Sequence, residues 1–207
     1  MKSRERPAAR PVVVAFTAVK GTLSPREACE AAEKAFESAV LLPVADGGDG
    51  TLDVFDGERR TARVTGPLGE PVSASYRLAG TTAILEMAQA SGLWRVPIAL
   101  RNPLVTTTRG TGEMILAARQ AGAKRVLLGV GGSATVDAGR GALDVLDDAR
   151  DVVVLCDVRT KLLDAPRVFG PQKGATPRMM PELEARMRSL PRAVWRLEGS
   201  GAALTAQ

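Results

Sequence analysis

The spacing of apolar residues along the chain predicts alternating strands and helices. Pro11 to Phe16 and Val40 to Val44 are short apolar runs rich in β-branched residues, which is typical of buried strands. Between them, Ser24-Pro25-Arg26-Glu27 predicts a helix start, with a capping serine, a proline suited to the first turn and a glutamate that completes a capping box. Together these segments predict a strand-helix-strand unit whose two strands are parallel.

The pattern changes near residues 57 and 148, where we expect a middle segment to be inserted into the strand-helix scaffold. Strand-like runs separated by turn residues are Arg63 to Thr65, Val72 to Leu78, Thr82 to Leu85, Val126 to Leu128 and Asp151 to Cys156. Helical spacing is found in Thr111 to Ala121, Ala134 to Leu146 and Pro177 to Leu190. The fold class predicted from this order is α/β.

Two glycine-rich loops each follow a predicted strand. One runs from Gly129 through Gly131, Gly132 and Ser133 to Asp137, and the other is Ala45-Asp46-Gly47-Gly48-Asp49-Gly50-Thr51. Glycines let the backbone approach a ligand, and the free N–H groups of a helix start favour an anion. Two such loops predict an active site at the carboxyl edge of the sheet.

Composition narrows the function classes. The 207 residues are 45% hydrophobic and 25% charged, with 3% aromatic residues and a net charge of +5. Spread basic charge with few stacking aromatics argues against nucleic-acid binding and fits a small anionic substrate. A charged start and the lack of a long apolar run predict a cytoplasmic protein without a membrane segment, in which Cys29 and Cys156 are buried thiols.

The sequence contains no histidine, so a general base must be a carboxylate or a lysine, and a metal would need oxygen ligands, as Mg²⁺ does. Lys20 can meet a phosphate, although a solvated loop lysine is equally consistent with its position. Asp46 and Asp49 can hold Mg²⁺ or act as a base, and the alternative is ordinary turn chemistry. Thr107 and Thr108 offer hydroxyls before a predicted helix, where a plain threonine cap is the alternative.

The loops form an ordered series that resembles the bacterial glycerate kinase family, the type with Lys-Gly-Ser-Leu-Ser and Ala-Asp-Gly-Gly-Glu-Gly-Thr signatures. The resemblance covers about Val12 to Lys173. The segments that carry it are Lys20 to Ser24, Pro43 to Thr51, Thr65 to Gly69, Glu86 to Leu93, Asn102 to Leu104, Thr106 to Gly112, Gly129 to Asp137, Cys156 to Val158 and Phe169 to Thr176. The Walker A pattern, Gly-Lys-Ser/Thr after a four-residue spacer, is not among them.

The resemblance implies ATP- and Mg²⁺-dependent phosphorylation of D-glycerate between two α/β domains. These are a partial flavodoxin-like parallel-sheet domain over 1–56 and 148–207, and an inserted smaller mixed α/β domain over 57–147. Lys20, Asp46 and Asp157 are the implied catalytic residues, and Asp46 and Asp49 are the implied metal ligands. The implied substrate and phosphate contacts are Gly47, Gly48, Thr107, Thr108, Gly131, Gly132, Ser133, Asp137 and Lys173.

Several positions depart from the family pattern. Thr17 stands where an Asp is usual, Val136 replaces the Asn before Asp137, and Arg159-Thr160-Lys161 replaces Asp-Asn-Pro. The chain also lacks the later Gly-Glu-Gly-Arg-like and Gly-Lys segments. Two hypotheses follow: an active kinase, or an impaired or truncated family remnant that binds an anion or pairs with another chain, for which a homodimer is expected.

Overall fold

Strands and helices alternate along the chain in the computed structural model, which describes residues 10–19 and 21–202 and confirms the α/β class. The strands are β1 (Val12–Val14), β2 (Ala39–Leu41), β3 (Glu58–Thr65), β4 (Pro71–Ala79), β5 (Thr82–Glu86), β6 (Arg125–Gly129) and β7 (Val152–Leu155). The helices are α1 (Pro25–Glu33), α2 (Thr51–Val54), α3 (Ala88–Ser91), α4 (Arg109–Gln120), α5 (Arg140–Leu143), α6 (Ala165–Phe169) and α7 (Met180–Arg188).

The predicted strand-helix-strand unit is present at the start of the described chain. β1 and β2 pair in parallel, and α1 connects them. The capping box forms as expected, because Ser24 accepts the N–H of Glu27 and the Glu27 carboxylate accepts the N–H of Ser24. The buried Cys29 thiol, 3.4 Å from the Val14 carbonyl oxygen, ties the helix to β1.

The second sheet has five strands in the order β3-β4-β5-β6-β7. The first two pairings are antiparallel, and β5-β6 and β6-β7 are parallel. The carboxyl ends of β5, β6 and β7 therefore lie side by side at Glu86, Gly129 and Leu155. This edge carries the site described below.

The strand β7 lies just beyond the predicted domain boundary at residue 148. The division at residue 148 separates β7 from β6, whereas the structure pairs Val126 with Val152 in one sheet. The Arg119 guanidinium on α4 also pairs with the Asp151 carboxylate just before β7. The boundary at 148 therefore does not coincide with sheet membership, and the division into two domains stays a prediction.

The predicted helix over Ala134 to Leu146 was wrong for most of its length. Only Arg140–Leu143 is helical, because Ala138 and Gly139 have φ values of 57° and 72°, which no right-handed helix allows. The Asp137 carboxylate instead accepts the N–H groups of Gly139 and Gly141 and holds this turn. The glycine loop after β6 consequently does not lead into a helix N-terminus.

One hydrophobic core lies between the five-stranded sheet and α3, α4 and α5. Its largest fully buried members include Leu85, Met114, Ile115 and Leu128. A second core joins α7 to the chain before α6 and contains Val136, Leu162, Leu183, Met187 and Val194. The predicted C-terminal helix thus packs in a core through Leu183 and Met187, and Val136, a departure from the family pattern, is buried there.

The strands β1 and β2 carry apolar side chains that remain exposed. Val13 is 60% exposed and Leu42, just after β2, is 54% exposed. Phe36, which follows the end of α1 at Glu33, is likewise 45% exposed. Among the described residues, no helix is long and apolar enough to cross a membrane.

Candidate functional site

The two glycine-rich loops meet at the carboxyl edge of the five-stranded sheet. The N–H of Gly131 donates to the Gly47 carbonyl oxygen at 2.9 Å. A Cβ on Gly129 would lie 2.5 Å from that oxygen, and a Cβ on Gly131 would lie 2.5 Å from the Gly48 Cα. No side chain fits between the loops, so these glycines are required by loop packing itself.

A cavity of about 550 Å³ opens beside this contact, within the range of small-molecule sites. Of the site residues predicted from the sequence, it is lined by Asp49, Thr108, Gly131, Gly132, Ser133, Asp157 and Lys173. The predicted residues Asp46, Gly47, Gly48, Thr107 and Asp137 do not line it. Lys20 lies outside the described residues.

The turn at Gly132 and Ser133 offers backbone donors to the cavity. Within the described residues, the Gly132 and Ser133 N–H groups have no acceptor, whereas the Gly131 N–H is taken by Gly47. The Gly132 carbonyl accepts from Leu93, which fixes the turn. Two adjacent free N–H groups in a fixed turn form an anion-binding concavity without a helix.

Lys173 brings a buried positive charge to the same turn. Its Nζ donates to Ser133 Oγ at 2.9 Å and to the Thr135 carbonyl oxygen at 2.6 Å, and it lies 5.8 Å from the Phe169 ring centroid. Burial lowers the pKa of Lys173 to about 8, while the nearby Asp137 carboxylate opposes that shift. An anion bound at the turn would restore a counter-charge to this ammonium group.

Two of the predicted aspartates are engaged in local structure. Asp46 Oδ1 accepts the N–H of Gly48 at 2.9 Å, which is the turn chemistry weighed as the alternative. Asp137 accepts the backbone N–H and the hydroxyl of Thr108 in addition to Gly139 and Gly141. Asp137 therefore has a structural role that the sequence did not predict.

The threonines before α4 are also bonded within the protein. Thr108 Oγ1 donates to Asp137 and accepts the N–H of Ala142, which joins the α4 and α5 N-termini. Thr107 Oγ1 accepts the N–H of Arg109 at 3.1 Å. Thr108 is the N-cap residue of α4, but its side chain makes no capping hydrogen bond to that helix and faces the cavity instead.

Glu86 is a residue at the site that the sequence-based assignment missed. It ends β5 and is only 4% exposed, and its Oε1 accepts the N–H of Leu52 on α2 at 2.6 Å. Burial raises the pKa of Glu86, and Asp49 and Asp53 add repulsion that raises it further. Glu86 thus anchors α2, which directly follows the Asp46–Gly50 loop.

Arg101 and Cys156 also line the cavity without having been predicted as site residues. Arg101 immediately precedes the Asn102-Pro103-Leu104 segment, and this adjacency was the signal available in the sequence. Cys156 was expected to be buried and is exposed. The end of β7 at Leu155 explains this, because the next side chain points into the cavity rather than the core.

The carboxylates at the cavity fit a magnesium ion that is also held by phosphate. Asp49 and Asp157 both line the cavity, but the described residues contain no group of three or more His, Cys, Asp or Glu residues suited to a metal. Mg²⁺ bound with a nucleotide needs only one or two carboxylates, because phosphate and water supply the other ligands. The donor set therefore fits a nucleotide-associated ion rather than a closed protein cage.

The chain is similar in sequence to known proteins of one family. The sequence profile of the glycerate kinase family matches residues 12–147 and 146–203. The chain is 41% identical to Glycerate 2-kinase of Escherichia coli (strain K12) and 42% identical to Glycerate kinase of Bacillus subtilis (strain 168). Each match covers 84% of this chain and 58% of the relative, so the chain spans less than two thirds of their length.

A solved structure gives the same result for the fold. A Salmonella typhimurium LT2 protein assigned as glycerate kinase 2 superposes with a TM-score of 0.80 at 36% identity. The superposition covers 94% of this chain and 68% of that one. The α/β architecture is therefore shared with a longer protein.

We predict that sulfate binding at the Gly132–Ser133 turn weakens as the pH rises through about 8, where Lys173 loses its proton. Sulfate keeps its charge over this range, so a fall in affinity reports the lysine. Calorimetric titrations between pH 7 and 9.5 measure it. Lys173→Met should abolish the dependence, while Lys124→Met, at an exposed site, should leave it intact. A pH-independent affinity in the wild type would contradict this role for Lys173.

We predict that Glu86→Ala lowers the free energy of unfolding by about 1–3 kcal/mol, because it leaves the buried N–H of Leu52 without its acceptor. Glu86→Gln keeps an acceptor and should cost less at neutral pH. Urea unfolding measures both, with the exposed Glu30→Ala as the matched control.

Because the pKa of Glu86 is raised, we predict the direction in which the free energy of unfolding changes with pH. Between the ordinary carboxyl pKa and the raised one, the folded state binds more protons than the unfolded state, so stability falls as the pH rises. Glu86→Gln should remove that fall. Identical pH profiles for the wild type and Glu86→Gln would show that Glu86 titrates normally.

Proposed function

Because the chain belongs to the glycerate kinase family, we propose that its cavity binds ATP and D-glycerate and transfers a phosphoryl group to a hydroxyl of the acid. One observation carries this proposal. The buried Lys173 ammonium and the two free N–H groups at Gly132 and Ser133 lie in one cavity with the carboxylates of Asp49 and Asp157. Phosphoryl transfer requires this combination of anion-binding donors and carboxylates.

The donors of the Gly132–Ser133 turn are proposed to bind the phosphates. Backbone N–H groups held in a fixed turn need no reorganisation as charge develops on the transferring group. Lys173 adds a positive charge on a side chain that is itself buried, where electrostatic attraction is stronger than in water. Ser133 keeps the ammonium in place through its Oγ.

Asp49 and Asp157 are the proposed carboxylates of the reaction. Either one can accept the proton of the attacking hydroxyl, since the chain has no histidine and both side chains line the cavity. The same two residues would hold Mg²⁺, which supplies charge neutralisation on the phosphates when bound. Asp49 is beside the turn, because a Cβ on Gly132 would lie 3.0 Å from its Oδ1.

Most of the remaining predicted residues are proposed to hold the loops that present the cavity residues, without contacting a ligand themselves. Asp46, Gly47 and Gly48 shape the loop that presents Asp49, and Asp46 is no longer the preferred base because its Oδ1 accepts the Gly48 N–H. Asp137 orders the residues just before α4, which include Thr107 and Thr108. Lys20 stays a proposed phosphate contact.

The exposed apolar positions on β1 and β2 support a proposal of self-association. Val13 and Val40 are both more than half exposed on adjacent parallel strands. An uncovered apolar sheet invites pairing with another chain, and a second copy is the partner we propose. Light scattering on the purified chain tests this self-association.

The cytoplasm is the proposed compartment.

We predict that the purified chain releases ADP when supplied with D-glycerate, ATP and Mg²⁺. Asp157→Asn and Asp49→Asn should each lower kcat by about 10² or more, which is the usual size of a general-base contribution. A coupled assay measures turnover, and calorimetry measures ATP affinity separately. Asp56→Asn, at an exposed residue outside the cavity, is the matched control.

Two outcomes would contradict the proposal in different ways. Full activity in both aspartate variants would remove these carboxylates from the reaction. A folded wild-type chain without any turnover would favour the alternative, a family member that binds an anion or pairs with another chain without catalysis. Ser133→Ala tests the contact between the turn and Lys173, because it removes the Oγ acceptor and leaves both backbone N–H groups in place; Gly132 is not replaced because its φ of 69° would strain any side chain.

A further inference from the structure

The Arg101 side chain lines the cavity and is not used by the roles assigned so far. Its Nη1 donates to the Gln172 carbonyl oxygen at 3.3 Å. Its Nε is buried and has no acceptor anywhere in the described part of the chain. A buried donor of a charged group is costly when unpaired, and native structures rarely leave one without a reason.

Arg101 is held directly beside Lys173. Gly174 has a φ of 88°, and a Cβ there would overlap the Arg101 carbonyl oxygen and lie 2.8 Å from the Arg101 Cβ. The carbonyl oxygen of Gln172, on the other side of Lys173, accepts a hydrogen bond from the Arg101 guanidinium. The segment 172–174 therefore packs against Arg101 on both sides of the lysine, and both side chains line the same cavity.

The two cations differ in what surrounds them. The Lys173 ammonium is bonded to Ser133, beside the free N–H groups of the turn, so it belongs with the proposed phosphate site. The Arg101 guanidinium is instead held by a backbone carbonyl, which leaves its Nε unpaired. A guanidinium is a planar fork of donors that matches a carboxylate with two parallel hydrogen bonds.

We propose that Arg101 binds the carboxylate of a small hydroxy acid and so selects an acidic acceptor over a neutral polyol. This inference rests on the proposed function and deepens it. The acceptor presents a hydroxyl to the phosphate and an anionic group only a few bonds away. A second cation in the same cavity as the phosphate site is therefore what a short hydroxy acid requires, and Arg101 supplies it.

The test compares ligand affinities of the full chain by calorimetry, with turnover measured in parallel. The variants are Arg101→Gln, which removes the charge, and Arg101→Lys, which keeps the charge and removes the fork. Arg178→Gln, at an exposed arginine outside the cavity, makes the same charge change as a control. The ligands are D-glycerate, glycerol, malonate and ATP. Thermal melting confirms that each variant is folded.

We expect Arg101→Gln to weaken D-glycerate and malonate binding by about tenfold or more, the usual effect of losing a hydrogen bond to a charged group. Arg101→Lys should give an intermediate loss. ATP affinity should change by less than threefold, and Arg178→Gln should behave as the wild type. The preference for D-glycerate over glycerol should fall in Arg101→Gln.

The outcomes separate this inference from the proposed function. Turnover of D-glycerate with an unchanged affinity in Arg101→Gln overturns the inference alone, as does a larger loss for ATP than for D-glycerate. Malonate binding that depends on Arg101, without turnover of D-glycerate, supports the inference and overturns the proposed function. A wild type that binds none of the carboxylates overturns both.

Discussion

The site depends on a contact between two backbones, the Asp46–Gly50 loop and the Gly129–Ser133 loop. The hydrogen bond from Gly131 to Gly47 joins them, and neither Gly129 nor Gly131 has room for a Cβ. This contact determines where Asp49 and the free N–H groups stand relative to each other. Glu86 supports this contact by anchoring α2, the helix that follows the Asp46–Gly50 loop. A buried carboxylate and the packing of glycines together therefore position Asp49 and the free N–H groups.

The contact between the two loops also explains why glycine is required at two of these positions. A glycine-rich loop after a strand suggests close approach of a ligand, yet Gly129 and Gly131 are required because another loop approaches. Gly131 and Gly132 both line the cavity, but of the two only Gly132, with its φ of 69°, has an N–H that is free within the described residues. Replacing Gly131 would therefore disrupt the site by separating the loops, without touching a ligand.

The sequence predicted the strands and the capping box because these depend on local patterns, apolar runs and Ser24 with Glu27. The meeting of the two loops at a carboxyl edge was also predicted, but the strands before them, β2 and β6, belong to different sheets, so the sequence did not show which sheet carries the site. The helix expected from Ala134 failed because Asp137, a side chain, fixes a left-handed turn at Ala138 that apolar spacing cannot report. Arg101 was missed because its proximity to Lys173 is purely tertiary.

Lys173 shows how the site balances stability against binding. An ammonium buried to 7% exposure would favour its neutral form, and its pKa is lowered to about 8 for that reason. Two oxygen acceptors and the Phe169 ring offset part of the cost, but no carboxylate among residues 10–19 and 21–202 hydrogen-bonds to it directly. Because the protein leaves this charge incompletely compensated, a bound anion gains more from it than from a solvated lysine. In the proposed function, the cost to the unliganded fold is recovered as affinity for a phosphate.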